Sequence, residues 1–263
     1  MFLSFKHLSL IPLTLFVSLS QPVFAATPEN VAIAQTQISQ NNRDAAIQLY
    51  EKGVRQNEQG QYLEASQTFQ EVLGILRGIG DRKGEMAALE KLAQAYEGLK
   101  EYSKAIQAYD DAIAITRELR DRSSEAAFLD YQGIVYRYQE QYDQALQTHQ
   151  QSLAIFRELN IPRSEAIVLR NIGRIYFTRN QFDSAIGFFQ QALAIQEKID
   201  EPANQAATVY LIAATYNYLN QKNKAIESYE AAIVLFQKAG NQEAVRQIRL
   251  EMQQMQQASS QVS

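Results

Sequence analysis

Hydrophobic and polar positions follow one another along this chain with the period of an α-helix. Leu89, Leu92, Ala93 and Tyr96 fall at i, i+3, i+4 and i+7, which places them on one stripe. Tyr102, Ala105, Tyr109, Ala112 and Ile113 trace a second stripe soon after. The two stripes predict a pair of amphipathic helices, A and B, joined by a short turn at residue 100. The pattern recurs along the chain, with further turns expected at 60, 140, 180 and 220. Small residues mark helix A in one column: Gly53, Ala93, Gly133, Gly173 and Ala213. Ala65, Ala105, Ala145, Ala185 and Ala225 mark helix B. Phe69, Tyr109, His149, Phe189 and Tyr229 follow one turn later, and every column steps by forty residues. A fixed period of this length predicts stacked repeats. Small residues let the two helix axes approach and aromatics fill the remaining space, so nearly all of these positions read as core.

Turn and breaker residues support the same divisions, unevenly. Gly60, Asn180 and Asn220 suit the left-handed conformation that ends a helix, whereas Lys100 and Glu140 do not. Ser103, Asp143, Asp183 and Asn223 are expected to cap helix B by accepting from its free backbone N–H groups. Between units stand Gly80-Asp81, Arg120-Asp121, Asn160-Ile161-Pro162, Asp200-Glu201-Pro202 and Gly240-Asn241; Pro162 and Pro202 cannot continue a preceding helix. Five units are therefore expected over 44–245, at 44–84, 85–124, 125–164, 165–204 and 205–245. Val245, Ile248, Met252 and Met255 keep a helical stripe. They predict a capping helix over 246–257 on the edge of unit five, with a frayed tail at 258–263.

This pattern resembles the tetratricopeptide repeat (TPR). It stands here as Leu169, Ile172, Gly173 and Tyr176 followed by Phe182, Ala185, Phe189 and Ala192. The spacing and the linker Gly80-Asp81-Arg82-Lys83-Gly84-Glu85 resemble the forty-residue-period subclass with extended helices. Lys52, Gln56, Gln132, His149 and Lys222 depart from the pattern. The resemblance implies an all-α, right-handed α-solenoid of five helix-turn-helix repeats whose A helices line a concave groove. It maps groove positions to Tyr50, Glu51 and Val54 in unit one and to Glu90, Lys91, Gln94 and Glu97 in unit two. Units three and four contribute Asp130, Tyr131, Ile134, Arg137, Tyr138, Arg170, Asn171, Arg174 and Phe177. Unit five ends the groove with Tyr210, Leu211, Asn217 and Tyr218. Asn171 stands where the family's asparagine hydrogen-bonds a bound peptide backbone. The family's chaperone-type carboxylate clamp wants Lys and Asn in unit one, where Tyr50 and Val54 stand.

Ends and composition narrow the function. Residues 1–25 read as a secretory signal: Lys6, an apolar run over 8–19 too short to span a bilayer, and a small-x-small site at Val23-Phe24-Ala25. An uncleaved anchor is the alternative. Export is expected, to the periplasm, the exterior or an internal lumen, without stable membrane insertion after cleavage. Residues 26–43 are polar and weakly patterned, which predicts a flexible leader. With no cysteine there is no lipoprotein anchor, disulfide framework or thiolate nucleophile. A net charge of −4 without a basic run argues against nucleic acid. His149, the one histidine beyond the signal, sits in an aromatic column and reads as a packing residue. No Ser-His-Asp set, zinc site or Gly-rich phosphate loop follows from these residues, and the neighbours Asp110 and Asp111 point apart on a helix. Neither catalysis nor a resident cofactor or metal is expected.

The groove positions are acidic in unit two and basic across units three and four. Arg170 and Arg174, four apart on one face, repel each other; they read either as a solvated face, as a pair neutralised by Asp130 or Glu90, or as a site for a partner. Arg137, Arg170 and Arg174 are the candidate receivers of an acidic group, because guanidinium forks suit carboxylates. Tyr131, Tyr138, Phe177 and Tyr210 are the candidate apolar anchors, beside Asn171 and Asn217. The function expected is a non-enzymatic scaffold that binds a partner peptide or helix in its groove. The alternative is a structural subunit that self-associates through its convex face and terminal helix, with Met252 and Met255 as contact residues.

Overall fold

A computed structural model describes residues 28–260, and all regular structure within them is helical. Of the described residues, 28–41 belong to one unit and 42–260 to another, which carries the repeats. Repeat one is formed by α1 (Pro28–Glu58), from Asn42 on, and α2 (Tyr62–Ile79). Repeats two and three comprise α3 (Arg82–Gly98), α4 (Tyr102–Leu119), α5 (Arg122–Tyr138) and α6 (Tyr142–Glu158). Repeats four and five comprise α7 (Pro162–Thr178), α8 (Phe182–Lys198), α9 (Pro202–Tyr218) and α10 (Lys222–Lys238), followed by α11 (Gln242–Ser260). The arrangement is an all-α solenoid of helix-turn-helix repeats.

Each helix pair is closed by the interlock expected of the small and aromatic columns. A Cβ placed on Gly133 would lie 2.7 Å from the His149 ring, and one on Gly173 would lie 2.5 Å from Phe189. No side chain fits there without moving a fully buried ring. Ala93 and Ala213 take the small position in repeats two and five, where the facing residues are Tyr109 and Tyr229. One continuous core runs from Ala46 to Ala192 and a second from Val209 to Ile248; Ala185, Phe189 and Ile212 form a smaller cluster.

Helix ends obey position more strictly than residue type. Lys100, Arg120, Glu140 and Asp200 adopt φ of 58°, 56°, 60° and 50°, as do the Gly and Asn residues of the other turns. A left-handed non-glycine residue costs roughly 1 kcal/mol, and here it is over-determined by the turn. Lys100 N donates to Glu97 O at 2.9 Å and Glu101 N to Tyr96 O at 2.8 Å, which closes α3 with its own last carbonyls. That backbone turn also sets the start of helix B, so the expected caps are not caps. Ser103, Asp143, Asp183 and Asn223 each stand second inside their helix, and the N-cap residues Glu101, Gln141, Gln181 and Gln221 make no side-chain cap bond. Ser103 and Asp143 instead reach to the following repeat, where Gln139 donates to Ser103 at 3.2 Å and Arg179 pairs with Asp143 at 3.0 Å.

The unit boundaries expected after 84, 124, 164 and 204 fall late, because the breakers themselves start helix A. Asp81 and Asp121 accept from the backbone N–H of Gly84 and Ser124 at 3.0 Å, and Pro162 and Pro202 occupy the first helical position. The leader expected over 26–43 takes helical backbone from Pro28. Proline is tolerated in a first turn, and the stretch from there to Lys52 lacks glycine and is rich in Ala and Gln. α11 likewise extends past both limits of the expected capping helix, through residues read as tail. Its Val245 and Ile248 are buried, and Met252 and Met255 pack half-buried against the same cluster. The signal expected over 1–25 lies outside the described residues. No helix among the described residues is long and apolar enough to cross a membrane.

Candidate functional site

Helix A repeats its columns from α1 to α9, so equivalent positions line up as stripes. One stripe reads Tyr50, Glu90, Asp130, Arg170, Tyr210; its neighbour reads Glu51, Lys91, Tyr131, Asn171, Leu211. In repeat two the acidic positions are satisfied locally. Glu90 accepts from Gln94 at 2.9 Å and pairs with Lys91 at 3.3 Å. Glu97 accepts from the Tyr109 hydroxyl at 2.7 Å; burial pushes its carboxyl above the usual range, and that hydrogen bond partly opposes the shift.

Repeats three and four hold a buried polar cluster. Asp130 on α5 is 5 % exposed, and both its oxygens accept from Asn171 Nδ2 on α7 at 3.1 Å. His149 on α6 is fully buried, with Nδ1 2.7 Å from Asp130 Oδ1 but off the line of a good hydrogen bond, and its Nε2 has no partner. The packing role expected of His149 is seen, with a polar contact added to it. Asn171, expected to meet a ligand, is buried and its amide N–H₂ is committed to Asp130; only its Oδ1 is left to accept.

Three arginines stand beside this cluster without a counter-charge. Among the described residues none of Arg137, Arg170 and Arg174 forms an ion pair within 4.0 Å. Burial lowers the Arg170 guanidinium below its usual range, the Arg174 charge lowers it further, and Asp130 opposes both. Arg174 stands at an exposed position, yet partial burial of its guanidinium lowers it and the Arg137 charge lowers it further. The two acids expected to neutralise the pair are engaged elsewhere, Asp130 with Asn171 and His149, Glu90 with Lys91 and Gln94. Arg137 lies over the Tyr138 ring at 4.6 Å, and Tyr138 stacks on Tyr102 at 5.9 Å. Tyr131 and Tyr138 are 37 % and 51 % exposed, leaving aromatic surface beside the cations.

Repeat five ends this face with aromatic rings. Phe177 packs edge-on against Tyr218 at 4.9 Å and Phe182 at 5.5 Å, so it supports the exposed Tyr218 more than it offers surface itself. The Tyr210 hydroxyl donates to Glu251 on α11 at 2.9 Å; burial first and that bond second push it up to about 12. A cleft of about 570 Å³ opens here, lined by Tyr210, Asn217, Tyr218, Tyr229, Glu251 and Gln254 among others. Among the described residues no group of His, Cys, Asp or Glu gathers to hold a metal ion.

The tetratricopeptide-repeat family model matches residues 54–118 and 124–198, and a second model of the same repeat matches 206–236. The chain belongs to the tetratricopeptide repeat family. No curated protein matches it. Among solved structures, this TPR chain is similar to BtubC from P. vanneervenii at 19 % identity and TM-score 0.66, over 81 % of this chain and 93 % of that one. It is similar to aspartyl phosphate phosphatase F from Bacillus subtilis at 19 % identity and TM-score 0.76, over 84 % of this chain and 58 % of that one. A third is the Rap conjugation gene regulator of plasmid pLS20 in complex with the Phr* peptide, at 14 % identity and TM-score 0.66, over 91 % and 64 %. This TPR chain spans less than two thirds of the latter two proteins, and at these identities the likeness is one of fold.

Of the expected groove residues, Arg137 lies on Tyr138, Arg170 and Arg174 share one face of α7, and Asn171 is bonded to Asp130. Tyr131 packs on Tyr109 and Phe128, Phe177 packs on Tyr218, Tyr210 is bonded to Glu251, and Asn217 lines the cleft beside it. Sequence reasoning missed the Asp130–His149 contact and the role of Glu251. A signal for the first was present: His149 puts a polar ring in a column of Phe and Tyr, and a buried polar group needs a polar neighbour.

Proposed function

We propose that this protein is a non-enzymatic interaction scaffold of the exported, forty-residue-period kind, whose concave A-helix groove receives an extended or helical segment of a partner protein bearing an acidic group. One observation carries the reading: Arg170 and Arg174 share one face of α7, Arg137 acts on Arg174 while lying on the exposed Tyr138 ring, and none of the three has a carboxylate paired to it among the described residues. An acidic residue of the partner supplies the missing charge, the Asn171 Oδ1 accepts a backbone N–H, and Tyr131 and Tyr138 cover apolar surface. The pLS20 regulator, similar in fold, is described in complex with a peptide, which supports a peptide-sized occupant here.

The test is capture on the immobilised chain, from the exported compartment, beside a variant carrying Arg170→Glu and Arg174→Glu. A partner held by the native chain and lost by the variant supports the basic groove. Equal retention by both moves binding to another surface and ends the arginine reading.

A further inference from the structure

The charge of the arginine cluster can be counted. Arg170 and Arg174 stand four apart on one face of α7, the charge of Arg137 on α5 acts on Arg174, and the acid that opposes the lowering of Arg170 is Asp130, whose oxygens serve Asn171 and His149. Three positive charges and one negative leave an excess of two. The chain does not leave its arginines this way at the repeat junctions: Arg77, Arg117 and Arg157 each meet a glutamate at 2.6, 2.8 and 2.7 Å. Nor is the cluster free to disperse. Arg137 is laid on the Tyr138 ring, Arg170 on α7 is half-buried, and Arg174 lies one turn further along the same face of α7 at an exposed position. Like charges held together at a partly desolvated site repel, and that repulsion is relieved by an anion of matching charge.

We propose that the Arg137, Arg170 and Arg174 cluster binds a dianionic group on the partner, supplied either by one phosphate monoester or by two adjacent carboxylates. This rests on the groove reading above and narrows its ligand. A single carboxylate offers two oxygens and one charge, so it leaves a guanidinium unpaired. A phosphate offers three acceptor oxygens and close to two charges, and a Glu-Glu pair offers four oxygens and two charges.

Four fluorescein-labelled peptides of one length and one Gly/Ser background test this by anisotropy, differing only at the centre: Ser, one Glu, Glu-Glu, or phosphoserine. The full chain is compared with Arg174→Gln, an exposed position whose loss leaves the core intact. The dianionic peptides should bind about tenfold tighter than the single-Glu peptide, the gain of one further charge-assisted hydrogen bond. That ratio should fall towards one in Arg174→Gln. Phosphoserine ahead of Glu-Glu identifies a phosphate source, and the reverse identifies carboxylates. Dianionic peptides no tighter than single Glu, or a preference kept by the variant, overturn the proposal while leaving the groove reading standing. If no peptide binds, the groove reading fails, and thermal unfolding in inorganic phosphate against chloride at equal ionic strength decides the site alone. A rise in Tm for the native chain and none for Arg174→Gln keeps it; no rise overturns it.

Discussion

At the junction of repeats two and three, Arg117 and Arg122 close on the Glu125 carboxylate at 2.8 and 2.5 Å, and Arg122 reaches on to Glu158 at 3.2 Å. At the junction of repeats four and five, Gln205 holds the column of Glu125, and its amide donates to the Gln196 carbonyl at 2.9 Å. Both junctions turn through a left-handed residue, Arg120 or Asp200, and start helix A in the same register. What fills them differs. Thr116 at the first is buried and donates to Ile113 O at 2.7 Å, whereas the Gln196 side chain in the same column is 1 % exposed with neither polar atom partnered. The largest core cluster also ends just before the second junction, which is bridged instead by the small cluster of Ala185, Phe189 and Ile212. One backbone solution therefore tolerates two kinds of contact, and the contact sets how firmly neighbouring repeats act as one body.

The comparison breaks first at Glu125. Glu125→Ala takes away the acceptor of Arg117 and leaves Arg122 with Glu158 alone, and should cost about 2 kcal/mol, whereas Gln205→Ala loses one neutral hydrogen bond and should cost about 1 kcal/mol. Urea unfolding of both variants checks this, and equal losses would remove the distinction between the junctions. Gln196→Leu sharpens it from the other side. Leu76 already occupies that column in repeat one, and removing an unpaired buried amide should stabilise the chain by about 1–2 kcal/mol. Hydrogen exchange should then slow across α8 to α10 and stay unchanged in α3 and α4.

Acid gives the smallest effect and the cleanest sign. Burial alone would raise the Glu125 carboxyl, but hydrogen bonds from Arg117 and Arg122 outweigh it and hold the group below its ordinary 4.5. Its folded state is thus harder to protonate than its unfolded state. The stabilisation is complete above pH 4.5 and is lost as pH falls through the lowered folded value. Exchange at the junction of repeats two and three should quicken in that acid window in the native chain and lose that step in Glu125→Gln. The junction at Gln205, which has no carboxylate in that column, should show no matching step.

Much of the fold was legible because it rests on period and size. The glycine and aromatic columns name each other's contacts, since Gly133 and Gly173 leave room only for the rings of His149 and Phe189. Turn positions were legible too, but not the tolerance of Lys100 or Glu140 for positive φ, because the closing hydrogen bonds belong to the backbone and leave no residue signature. The caps were misplaced for the same reason: Ser103 and Asp143 have capping side chains, yet the turn had already fixed where helix B begins. At the site, the shared face of Arg170 and Arg174 follows from helical spacing, whereas Arg137 joined them only through the groove positions that the family resemblance implies. The commitment of Asn171 to Asp130 does not, because it depends on two helices from successive repeats meeting with a third side chain, His149, beneath them.

The glutamate clasp bears on how such a chain could change its length. Excising residues 122–161 as a block would join Asp121 to Pro162 and bring Arg117 to Glu165, recreating the pairing that Arg157 now makes. Excising 162–201 instead would set Arg157 against Gln205, an amide that cannot neutralise it. Gene rearrangements that add or drop a whole repeat are therefore not equivalent along the chain: the first three junctions are interchangeable parts, and the fourth accepts only its own neighbours.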